Sequence, residues 1–102
     1  MKRILLSAAV MLAAMSAQAA TPAEILNKAG CMACHAQEKK LVGPSFKEIA
    51  AKYQGQGAEA KLMDKVRKGG SGSFGPIPMS PNGPDKINDA DLQTVVKFIL
   101  KG

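Results

Sequence analysis

Five consecutive residues, Cys31-Met32-Ala33-Cys34-His35, have the types and the spacing best suited to chemistry. Two thiols stand three positions apart, about a helical turn, and an imidazole directly follows the second. Thiols so placed can each add to one vinyl group of a porphyrin. The imidazole is then carried beneath the ring, where it can bind an iron. The motif reads as a c-type haem attachment site, with Cys31 and Cys34 as covalent tethers and His35 as one axial ligand of the metal. Other chemistries fit less well. Zinc would want two further soft ligands, and the 102 residues contain two Cys and one His in all. A dithiol redox pair belongs in an alternating strand–helix pattern, which the chain lacks. A disulfide across so short a span leaves the histidine unexplained.

A chain of this length makes one domain. Its first stretch has the marks of a cleavable secretory signal peptide over residues 1–19. Lys2 and Arg3 form a positive start, Ile4 to Met15 an apolar run of 12 residues, and Ala17-Gln18-Ala19 a small-x-small cleavage site. The run is short for a bilayer, which takes about 20 residues, so an uncleaved anchor is the weaker reading. Export agrees with haem attachment, which bacteria complete outside the cytoplasmic membrane. Cleavage leaves residues 20–102, 83 in number, and losing Lys2 and Arg3 lowers the net charge from +6 to +4. So small a chain usually needs a staple or a cofactor to fold, and a haem is a large apolar body to wrap around. The apoprotein is expected to fold poorly. With four aromatics in the whole chain and no basic run interleaved with them, nothing points to nucleic acid.

The elements that must hold these groups read as helices. Thr21-Pro22-Ala23-Glu24 is a capping box with proline at the first helical position, and Ile25, Leu26 and Ala29 share a face behind it. After His35 comes a charged loop, then Leu41-Val42-Gly43-Pro44. Two readings stay open for Pro44: its carbonyl accepts a hydrogen bond from the non-ligating nitrogen of His35, or it is a turn proline before a helix. Ser45-Phe46-Lys47-Glu48 is a second capping box, and Phe46, Ile49, Ala50 and Tyr53 make an amphipathic stripe. A third helix, from Ala58 to Lys68, has Ala58, Leu62 and Val66 on one face and stops at Gly69-Gly70. On it Lys65 and Arg67 are either within reach of a haem propionate or simply solvated. Asn88-Asp89-Ala90-Asp91 caps a last helix that buries Leu92, Val95, Val96 and Ile99.

Residues 69–85 differ in kind. Five glycines and four prolines exclude a helix or an inner strand, yet Phe74, Ile77 and Met79 are more apolar than a linker needs. Prolines lower the entropy lost on ordering a loop. A stiff loop that presents one sulfur is what a methionine axial ligand requires, so Met79 is the expected sixth ligand. Met32 is tied to the His35 side of the ring, and Met63 lies beside a packing face. Asn82 either donates a hydrogen bond to the ligand sulfur or is a turn residue. The fold class expected is all-α, a small fold of about four helices wrapped around one covalently attached haem.

Assembled in this order, the chain resembles the small bacterial class I monohaem cytochromes c of the c-551/c-552 group over residues 21–102. The likeness rests on Gly30 to His35, Val42-Gly43-Pro44, Ala50-Ala51-Lys52-Tyr53 and Gly72 to Met79. It implies a soluble periplasmic electron carrier with one haem c and its iron. The axial ligands would be His35 and Met79, the thioether positions Cys31 and Cys34, and Pro44 and Asn82 would support the ligands. It further implies a monomer, not an enzyme, with no stable membrane insertion after signal cleavage. Its redox partner proteins would be a reductase donor and a terminal oxidase or nitrite reductase-type acceptor. Departures fall near the propionates: Phe74 stands where the group commonly has a Trp whose N–H helps hold a propionate, and Lys65 where an arginine often does. Ser80 replaces a proline after the ligand, and the loop from Gly83 to Lys86 is slightly lengthened.

The function expected is outer-sphere transfer of single electrons by a His/Met-ligated low-spin iron, through a small transient interface ringed by lysines such as Lys28, Lys39, Lys40 or Lys47. Two other classes compete. A haem enzyme or gas sensor would have an open sixth site, and a thiol–disulfide oxidoreductase would keep Cys31 and Cys34 free.

Overall fold

A computed structural model describes residues 20–102; the signal peptide read over residues 1–19 lies outside the described residues. Four α-helices run in the order α1 (Pro22–Lys28), α2 (Phe46–Tyr53), α3 (Glu59–Lys68) and α4 (Asp89–Lys101), with a short 3-10 turn at Cys31–Ala33. Their starts follow the local chemistry. Thr21, Ser45 and Asn88 are the N-caps, accepting from the backbone N–H groups of Glu24 at 3.3 Å, Glu48 at 3.1 Å and Asp91 at 2.8 Å. α3 begins one residue later than its apolar pattern suggests, with Ala58 as an N-cap whose methyl side chain makes no capping hydrogen bond.

α4 is the hub against which α1, α2 and α3 all pack. It contributes Leu92, Val95 and Val96 to a core completed by Ile25 and Leu26 of α1, Phe46 of α2, and Ile87. Each such side chain contributes about 1.5–3 kcal/mol by leaving water. Leu92→Ala, at a site 1% exposed, should cost about 2–5 kcal/mol. Ile99 is only half-buried, and Ile87, outside any helix, takes a core place that no periodicity announces.

The glycine- and proline-rich stretch forms a small antiparallel ribbon, β1 (Gly70–Gly72) and β2 (Gly75–Met79), which adds a hairpin to the otherwise helical fold. Gly72 pairs with Gly75 and Gly70 with Met79, so Ser73 and Phe74 form the tip. Both strands are edges. Pro76 and Pro78 are therefore tolerated there, although an inner strand would reject them. No helix among the described residues is long and apolar enough to cross a membrane.

Candidate functional site

His35 is 9% exposed and is held from three directions. Its Nδ1 lies 2.7 Å from the carbonyl oxygen of Pro44. A carbonyl can only accept, so Nδ1 carries the proton and donates, and Nε2 keeps its lone pair for a metal. The bond also orients the ring and raises its basicity as a ligand. Phe46 stacks against the imidazole at 5.4 Å between centroids and 18° between planes. Gly43 closes the third direction: a Cβ there would sit 2.7 Å from the His35 Cε1 and 3.0 Å from Nδ1. The turn that brings Gly43 and Pro44 to the ring is fastened to the haem motif by backbone bonds. The Gly43 N–H donates to Cys34 at 2.8 Å, that of Phe46 to Ala36 at 2.9 Å and that of Lys47 to Gln37 at 3.0 Å.

The 3-10 turn sets the thiols. The N–H groups of Cys34 and His35 donate to the Cys31 carbonyl at 3.2 and 3.0 Å, which puts half-buried Cys31 and exposed Cys34 on one tight loop. Burial pushes the Cys31 thiol up, outweighing the opposing effect of a backbone hydrogen bond. Thiols specialised for disulfide exchange are shifted the other way.

Both cysteines and His35 border a cavity of about 450 Å³, a volume in the range of cofactor sites. Its walls are mostly apolar: Leu62 and Val66 of α3, Ile49 of α2, Val95 of α4, and Ile77 of β2. α3 has no fully buried residue, and its Leu62 and Val66 face this cavity in addition to the core.

Of the three methionines among the described residues, Met79 alone borders the cavity. Met63 packs against the core and Met32 lies exposed. Met79 ends β2, and the chain beyond it presses on Gly69. That residue has φ +68°, and a Cβ there would collide with the Met79 carbonyl and come within 2.9 Å of Pro81 N and Ser80 C. Glycine is thus required twice over, by conformation and by space. The side-chain amide of Asn82 donates to the Ser80 carbonyl at 3.0 Å and more weakly to that of Val66 at 3.4 Å.

Lys65 borders the cavity, whereas Arg67 turns away from it toward the loop before α4. Phe74, also on the cavity border, sits edge-on to Tyr53 at 6.2 Å. Lys52 reaches across from α2, donating to the Ser73 carbonyl at 2.6 Å with its ammonium 4.7 Å from the Phe74 ring centre. The contacts of Lys52, Gly43 and Arg67 are not deducible from their types. A glycine beside a proline signals only a turn, and the two cations bind backbone carbonyls distant in sequence.

Fold and site together define a small helical protein whose core opens onto a cofactor-sized cavity, edged by a thiol pair and an imidazole. The cytochrome c family model matches residues 12–102. Cytochrome c2 of Rubrivivax gelatinosus is 54% identical over 83 residues, covering 80% of this chain and 98% of the relative. Cytochrome c-551 of Pseudomonas aeruginosa is 44% identical over 90 residues, covering 87% and 84%. The crystal structure of Nitrosomonas europaea cytochrome c552 superposes with a TM-score of 0.70 at 43% identity, covering 76% of this chain and 95% of that one.

The chain belongs to the cytochrome c family, as a class I monohaem member with an all-α fold. Its cofactor is one covalently bound haem c with iron, and its general role is to carry electrons between redox partner proteins. The residues present fit that group: a thiol pair, an imidazole with its lone pair free, and apolar walls around a cavity of suitable size.

Proposed function

We propose that the protein is a periplasmic carrier of single electrons, not an enzyme, in which His35 and Met79 are the axial ligands and Cys31 and Cys34 the thioether tethers. When bound, the haem supplies a one-electron iron couple, which a neutral thioether ligand biases toward the ferrous state. The chain's part is to hold that couple closed. Pro44 and Gly43 fix the His35 ring with Nε2 available, and the apolar walls exclude water. Lys65, on the cavity border, is the candidate partner for a propionate, and Phe74 supplies packing there without a donor. Met79 bordering the same cavity as His35, Cys31 and Cys34 is the observation that carries the reading.

Residues 1–19 serve as the export signal, and residues 20–102 as the haem domain. By resemblance, the donor is a reductase and the acceptor a terminal oxidase or nitrite reductase-type enzyme, met by a monomer. Carbon monoxide tests the ligation. The reduced mature protein at neutral pH is expected to leave its spectrum unchanged under the gas. Ready binding would replace the carrier with a haem enzyme or gas sensor having an open sixth site. Acid–acetone extraction tests the tethers: the haem should stay with the protein. Its release, with two thiols then free to titrate, would overturn the covalent attachment and favour a thiol–disulfide oxidoreductase.

A further inference from the structure

The chain leaves Met79 at Ser80 and rejoins a helix only at Asp89. The passage between is irregular: Pro81 and Pro84 have no N–H to donate, and the N–H groups of Lys86 and Ile87 close a turn on the Gly83 carbonyl at 3.0 and 3.2 Å. Two residues at the end of α3 fasten it. The Val66 carbonyl accepts the Asn82 N–H at 3.0 Å. Next to it, the Arg67 guanidinium, whose side chain is 20% exposed, donates to the Asn82 carbonyl at 3.2 Å, the Ile87 carbonyl at 2.7 Å and the Asp89 carboxylate at 2.6 Å.

These bonds are unequal. The Asp89 carboxylate is 87% exposed, so the ion pair itself contributes little. The two carbonyl bonds are part-buried and charge-assisted, and a rigid planar fork loses little entropy in making both. They join a point three residues after Met79 to Ile87 of the core. The same turn of α3 borders the cavity through Val66. We propose that Arg67 is a positioning residue for Met79: by bolting Asn82 and Ile87 to the end of α3, it holds the Met79 sulfur at the cavity and sets how readily another ligand displaces it. This rests on Met79 being the axial ligand.

The exchange it governs is simple. With the haem bound, an added imidazole would take, by its nitrogen lone pair, the place that the Met79 thioether gives up, with no electron transferred. Without Arg67, the passage is held to α3 through Asn82 alone. The imidazole affinity of the oxidised protein should then rise about tenfold, the equivalent of one charge-assisted hydrogen bond.

The experiment titrates imidazole into the exported, haem-loaded protein and follows the absorption spectrum, with denaturant unfolding measured on each variant. Arg67→Met should bind about tenfold more tightly than wild type, and Arg67→Lys should fall between them. Leu100→Ala, a change at the end of α4 that packs on the core but borders neither the cavity nor the passage, should lose stability but keep wild-type imidazole affinity. Met79→Ala should bind most tightly of all. If Met79→Ala binds like wild type, the axial assignment fails, and this inference with it. If Met79→Ala binds tightly and Arg67→Met like wild type, the inference alone fails. It also fails if Leu100→Ala gains as much affinity as Arg67→Met, which would make the effect general loosening. Should Arg67→Met not accumulate, Arg67→Lys decides: wild-type affinity there overturns the proposal.

Discussion

His35 and Met79 border one cavity but are held in contrasting ways. His35 is secured by its own neighbourhood. Backbone bonds from Gly43, Phe46 and Lys47 return to residues 34–37, and Pro44 supplies the ring's acceptor nine residues on. Met79 is secured by other elements. Its ribbon is largely exposed, and the segment is braced by Lys52 of α2 at the tip and by Val66 and Arg67 of α3 beyond the methionine. Local closure makes the histidine end rigid by short-range contacts that form together. Remote bracing makes the methionine end depend on a few side chains, so it should belong to the less stable part of the molecule. With Met79 as the proposed axial ligand, a carrier built this way should lose that ligand before it loses its fold.

The contrast can be broken most sharply at two glycines. Gly69→Ala forces a Cβ into left-handed backbone and against the Met79 carbonyl. The expected cost is roughly 3 kcal/mol, read as a lower denaturant midpoint with loss of sulfur ligation in the absorption spectrum. Gly43→Ala crowds only the His35 ring, without a conformational penalty. It should cost about 1–2 kcal/mol and leave the methionine bound. Sulfur ligation lost in Gly43→Ala but kept in Gly69→Ala would reverse the proposed order.

Lys52→Met removes the brace at the ribbon tip, at a cost of about 0.5–1 kcal/mol. Hydrogen exchange should quicken at ribbon amides such as Ser71 and Ile77, with those of Gly43 and Phe46 unchanged. Equal acceleration in both segments would mean that they open as one unit. The smallest effect concerns encounter, not structure. If the lysines steer an acidic partner, the electron-transfer rate should fall several-fold from low to high ionic strength. A flat salt dependence would remove charge from the docking step.

How far the sequence announced this arrangement depended on the range of the interactions. Helix starts were legible because Thr21, Ser45 and Asn88 act within a turn of themselves. The haem motif was legible because paired thiols followed by an imidazole are chemically rare, and Met79 stood out as the one thioether in a stiff loop, which borders the cavity. The ribbon was not, since glycine and proline argue against strands in general and only a two-stranded edge lifts the objection. Ile87 entered the core without periodicity, being a single residue between elements. Asn82 offered a turn or a sulfur contact, and the neighbouring carbonyls of Ser80 and Val66 claim its amide. Lys52 and Arg67 left no signal, because any residue could have supplied the carbonyls they bind.

The pairing of a locally held histidine with a remotely held methionine on one iron is tested most directly by X-ray absorption at the iron edge of the oxidised mature protein. One sulfur beside the porphyrin and imidazole nitrogens is the expected coordination shell, and it should vanish in Met79→Ala. A shell of nitrogen and oxygen alone in the wild type, or a sulfur that survives in Met79→Ala, would contradict it.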